Sequence, residues 1–158
     1  MKGELDMRKV KILALVLLIG LFITGCGSSN KKLTCTNMNK GNNMNAYSTA
    51  EYTFNEDGSS LLKAKATVDF KDIEVDDLES RWDDIVEQFT SQNEPVEEEG
   101  LKRTVSRDDK NFVFTVTVEI DYSKVSQETL QKYTTEDFTN KTYDEIKELS
   151  ESDGSTCK

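Results

Sequence analysis

From Phe112 to Tyr122 every even position is apolar: Phe112, Phe114, Val116, Val118, Ile120 and Tyr122. Between them stand Val113, Thr115, Thr117, Glu119 and Asp121, so an extended chain turns one face into a core and the other largely into water. A helix cannot use a period of two, because residues two apart point to different sides of it. The stretch therefore predicts the central strand of an antiparallel sheet, which needs neighbours of the same alternation.

Those neighbours are present. Leu62, Ala64, Ala66, Val68 and Phe70 alternate with Lys63, Lys65, Thr67, Asp69 and Lys71, and Ala46, Ala50, Tyr52 and Phe54 share a parity over 46–54. Asn55-Glu56-Asp57-Gly58 supplies a hairpin turn between the two. Asp108-Asp109-Lys110-Asn111 supplies another, joining a strand over Leu101–Arg107 to the central one. Leu33–Asn37 predicts a short first strand followed by the turn residues Gly41-Asn42-Asn43. Ala50, Ala64 and Ala66 leave room on their face for something bulky, and a helix is expected there.

Between the hairpins the period changes. Leu78, Trp82, Ile85, Val86 and Phe89 recur at helical spacing to about Ser91, with Asp76 as N-cap, Glu79 completing a capping box and Glu94-Pro95 beyond the end. Asp76, Asp77, Glu79, Asp83 and Asp84 read as a solvated face that complements the helix dipole, and Trp82 as core. Ser126 caps a short helix to about Lys132. Thr142 with Glu145 opens another that carries Tyr143, Ile146 and Leu149 and stops at Gly154. The fold class is α+β: a mainly antiparallel sheet of about five strands with one long and two short helices packed on one face.

Ahead of this domain, Ile12–Ile23 is an apolar run behind Lys2, Arg8, Lys9 and Lys11, the pattern of a signal peptide. Thr24 and Gly25 end it short of the roughly 20 apolar residues that a bilayer span needs. Glu4 and Asp6 are unusual in such a leader, and both Met1 and Met7 stand as possible initiators. The stretch Leu21-Phe22-Ile23-Thr24-Gly25-Cys26 resembles a lipobox, where bacterial prolipoproteins are acylated on the cysteine and cut just before it. Ile23 stands where that pattern usually has leucine.

The chain thus resembles small bacterial lipoproteins, particularly Gram-positive ones, more loosely also in its Leu33-Thr34-Cys35-Thr36 start and Gly154-Ser155-Thr156-Cys157-Lys158 end. The lipobox sets a signal peptide over 1–25, the polar residues Gly27–Lys32 cannot bury enough surface to fold and give a flexible stalk over 26–32, and the remaining length suits one domain over 33–158. The resemblance implies a membrane anchor through diacylglyceryl on Cys26, on the extracytoplasmic face of the cell membrane, and no particular activity. With Cys26 lipidated, Cys35 and Cys157 remain and read as a disulfide, the alternative being two free thiols.

Removing residues 1–25 takes four basic and two acidic side chains from totals of 20 and 30, leaving 16 against 28. That excess of carboxylates opposes nucleic acid and favours cationic partners. The chain has no histidine, which removes histidine-based triads and the usual zinc sites. Glu97-Glu98-Glu99 and Asp108-Asp109 are exposed-loop candidates for an acidic surface at one end of the sheet, meeting a basic envelope protein or a cationic wall component. The calcium-loop spacing is absent, so neither metal nor cofactor is expected. The leading function is non-catalytic binding or accessory work in the envelope. A hydrolase using a carboxylate pair and a small-solute-binding lipoprotein are the alternatives.

Overall fold

A computed structural model describes residues 29–134 and 138–158. The leader and Cys26 lie outside them. The elements are β1 (Lys31–Lys40), β2 (Asn45–Phe54), β3 (Leu61–Lys71), α1 (Leu78–Gln92), β4 (Val96–Glu98), β5 (Leu101–Asp108), β6 (Val113–Asp121), α2 (Gln127–Tyr133), α3 (Tyr143–Ser152) and β7 (Thr156–Cys157). The strands form one antiparallel sheet ordered β4-β5-β6-β3-β2-β1-β7. The class is α+β as expected, with seven strands instead of about five. The two additional strands, β4 and β7, have three and two residues, too few to display any alternation.

Register fixes the two faces. Leu33, Tyr52, Ala64, Ile120 and Leu101 stand directly opposite one another across β1, β2, β3, β6 and β5, so they share one side of the sheet. Helices cover that side at its two ends. α1 lays Trp82 and Val86 on Phe114 and Val116, while Phe89 stacks between Phe70 and Phe114 at centroid distances of 5.1 and 5.2 Å. α3 buries Ile146 completely among Leu33, Cys35, Phe54 and Leu61. The alanine stretch of β2 and β3 lies between these clusters, under neither of them. It floors a hollow of about 300 Å³ lined also by Tyr52, Val118 and Ile120 of the sheet, by Tyr133 and Thr134 at the end of α2 and by Phe138.

Several local expectations shift. β1 begins at Lys31, so the last two residues of the expected stalk are strand, and it runs on to Lys40 because β2 pairs with it along its whole length. A bulge at Thr53/Phe54 places Leu61, instead of Leu62, opposite Phe54, and Leu61 is the buried one. α1 starts after Asp77, which sits in the left-handed region with no side-chain cap, so the Asp76–Glu79 capping box does not form. The other two caps form as read: Ser126 accepts from the Thr129 N–H, and Thr142 and Glu145 cap each other reciprocally. Glu97 and Glu98 belong to β4 and not to a loop.

The tail is held as the cysteine arithmetic requires. Thr34 and Lys158 exchange both backbone hydrogen bonds at 2.9 Å, which makes Cys35–Cys157 the adjacent non-hydrogen-bonded pair. In an antiparallel ladder that pair has the closer Cα approach, here 4.1 Å, and the disulfide closes across it.

Candidate functional site

The other side of the sheet carries no helix among the described residues, because the apolar stripes of α1 and α3 both dock on the first. Its side chains follow from register. Thr34, Glu51, Lys65, Glu119, Lys102 and Glu97 form one row across β1, β2, β3, β6, β5 and β4, and the charges alternate in sign from Glu51 to Glu97. Directly opposed charges of unlike sign stabilise a sheet pair, which explains the alternation locally. Lys65 reaches Glu119 at 3.0 Å and Lys102 reaches Glu97 at 3.8 Å.

Beside this row lie Lys32, Thr53, Lys63 and Asp121, and the two rows line a trough of about 500 Å³ together with Lys124. Asp121 is shared by Lys63 at 3.7 Å and Lys124 at 3.8 Å. Its carboxyl lies below the ordinary range, first because the Ser123 hydroxyl donates to it and then because of the Ser123 backbone N–H and the two lysines. Lys65 is pushed up by its hydrogen bond to Glu119. These partnerships favour the charged forms, so Asp121 and Lys65 are poised to attract and hold, not to exchange protons near neutrality.

The five loop carboxylates predicted to form one acidic surface do not come together. Glu97–Glu99 and Asp108–Asp109 stand at opposite ends of β5, roughly 23 Å apart for a strand of that length. Each set also has internal work. Glu98 pairs with Lys132 at 3.7 Å and accepts from the Tyr133 hydroxyl at 3.0 Å. Asp108 closes its own turn by accepting from the backbone N–H groups of Lys110 and Asn111 and from the Asn111 amide. Asp109 accepts from the Trp82 indole N–H at 2.8 Å and pairs with Arg107, which reaches on to Asp83 at 2.7 Å. Hydrogen-bond donors at Asn111 and at Trp82 hold the two carboxyls low.

No family model, curated protein or solved structure matches the chain. The site therefore rests on its own geometry. Among the described residues no group of three or more Cys, Asp or Glu is arranged to hold a metal ion, and no helix is long and apolar enough to cross a membrane. Sequence reasoning missed the trough because it looked for function in loops. The signal was available in the odd positions of three strands, where Glu51, Lys65 and Glu119 alternate in sign once the pairing of β2, β3 and β6 is known.

Proposed function

We propose that this chain is a lipid-anchored, extracytoplasmic envelope protein that binds another envelope component without catalysis, and that the open sheet face is its binding surface. The carrying observation is that face itself: strands of up to eleven residues present a polar and self-neutralised surface that no other described element covers, in a strongly acidic chain. The lipobox-like stretch ending at Cys26 supports the anchor, and β1 begins only a few residues after it, so the sheet stands close to the bilayer. The carboxylate excess lies on the helical layer, where Glu79, Asp83, Asp84 and Glu87 of α1 and Asp144, Glu148 and Glu151 of α3 are exposed. That layer faces away from the trough.

Co-sedimentation with washed cell envelopes tests the assignment. Thr67→Arg places a bulky cation at the middle of the open face, whereas Glu87→Arg does the same on the exposed side of α1. The first variant should lose binding and the second should keep it. Equal binding by both variants contradicts it. One observation favours the alternative of small-solute capture: the hollow over Ala50, Ala64 and Ala66 is largely apolar and of a size for a small ligand. Ala66→Leu would fill it, and loss of envelope binding on that change would move the site to the helical side.

A further inference from the structure

Next to the alternating charged row lies a row made of one residue type. Thr156, Thr36, Thr49, Thr67, Thr117 and Thr104 stand directly opposite one another across β7, β1, β2, β3, β6 and β5. At strand spacing of about 4.8 Å this sets hydroxyls and methyls at regular intervals along roughly 24 Å. None of the six hydroxyls has a hydrogen-bond partner among the described residues, so their donor and acceptor capacity faces outward. Strand propensity favours threonine on an exposed face, yet it does not favour one row over its neighbours. The two charged rows on one side hold only Thr34 and Thr53, and the row on the other side, Met38, Tyr47, Asp69, Thr115 and Ser106, holds one threonine.

We propose that the open face takes an extended, uncharged, hydroxyl-rich glycan lying across the strands along the threonine row, with the adjoining trough receiving its side groups. The proposal rests on the reading of this face as the binding surface and names the chemistry of what binds. Charge complementarity selects the occupant. The central row carries no charge, the two charged rows beside it balance together, Glu51, Glu119, Glu97 and Asp121 against Lys65, Lys102, Lys32 and Lys63, and Asp69 on the far side accepts the Thr115 hydroxyl at 2.7 Å. A polyanion gains nothing from a neutral strip in a chain with net charge −10, and a polycation finds the carboxylate excess on the helical layer instead. A neutral sugar chain offers hydroxyls that both donate and accept, matching the threonine hydroxyls, and C–H surfaces matching their methyls. Its units repeat regularly, as the strands do.

The test uses the full chain in detergent with soluble chitin oligosaccharides as the neutral probe, polyglutamate as the anionic one and polylysine as the cationic one, read by calorimetry. Thr49→Val, Thr67→Val and Thr117→Val together remove three central hydroxyls while keeping β-branched side chains suited to strands. The expected result is binding of the neutral oligosaccharide that weakens by about tenfold or more in the triple variant, with thermal stability unchanged. If the triple variant does not fold, Thr67→Val alone should weaken binding by about threefold. Undiminished affinity in the variant that folds overturns the proposal, as does binding of only the charged probes. Wild-type protein that sediments with envelopes through its open face but binds no neutral oligosaccharide overturns the glycan assignment alone.

Discussion

Trp82 donates its indole N–H to the Asp109 carboxylate at 2.8 Å, joining the middle of α1 to the turn between β5 and β6. The indole is 3% exposed and meets Phe112 edge-on at 5.6 Å, while the Arg107 guanidinium lies 5.8 Å from the ring centre and bridges Asp83 and Asp109. A helix face, a hairpin turn and a cation therefore meet on one side chain. Trp82→Ala should cost about 3–5 kcal/mol by emptying that site. Asp109→Ala should cost less, yet more than Asp84→Ala on the exposed side of α1, since among the described residues Asp84 has no such donor to satisfy. Urea midpoints of the three variants check the order, and equal midpoints for the two aspartate variants would contradict it.

Acid should loosen the fold in a defined direction. Donors hold Asp109 (Trp82 first), Asp72 (Asn45, then Tyr47), Asp108 (Asn111), Asp121 (Ser123) and Glu145 (Thr142) below the ordinary carboxylate range. Their folded pKa values lie below the unfolded ones, so the folded chain binds fewer protons. The stabilisation is complete above the unfolded value of about 4 and is lost as pH falls through the folded values. Urea unfolding repeated down the pH scale should show the midpoint dropping below about pH 4. A midpoint unchanged down to about pH 3 would show that these hydrogen bonds contribute nothing.

The alternation of 112–122 announced a strand with a buried face, but the centre of the sheet is β3, with β6 next to it, because β1 and β7 extend the far side; the capping residues at Ser126 and Thr142 started α2 and α3 where expected. What the sequence hid had physical causes. β4 and β7 exist only because β5 and β1 offer them a partner, and Asp77 starts α1 through backbone geometry that its side chain does not announce. The candidate site was less legible still. Glu51, Lys65 and Glu119 are far apart in sequence and become one row only through pairing, as do the six threonines.

The disulfide should carry much of the stability of the sheet's β7 edge. β7 is two residues long and, with the Thr34–Lys158 hydrogen bonds beside it, gives the tail a short ladder on β1, whereas a bridge spanning 122 residues restricts the unfolded chain strongly. Cys157→Ser is expected to lower stability by about 2–5 kcal/mol, and the oxidised native protein should show neither of these thiols to a thiol reagent. Full labelling of both cysteines without reductant would count against the bridge.

Gly100 turns β4 into β5 at φ 77°, and a Cβ there would collide with the backbone nitrogen of Val125. Gly100→Ala combines left-handed strain with that collision and should cost more than the about 1–3 kcal/mol of strain alone. Thermal unfolding measures it. A variant as stable as the parent would mean that the turn and the segment before α2 separate freely.

Detergent-phase partitioning of Cys26→Ala tests most directly whether Cys26 attaches the proposed binding face to the membrane. The parent protein should enter the detergent phase and, after cleavage, lack residues 1–25. The variant should accumulate as uncleaved precursor or appear in released form, because the apolar run before Cys26 is shorter than the about 20 residues that hold a bilayer on their own. A processed Cys26→Ala protein that still partitions wholly into detergent would contradict lipid anchoring at this cysteine.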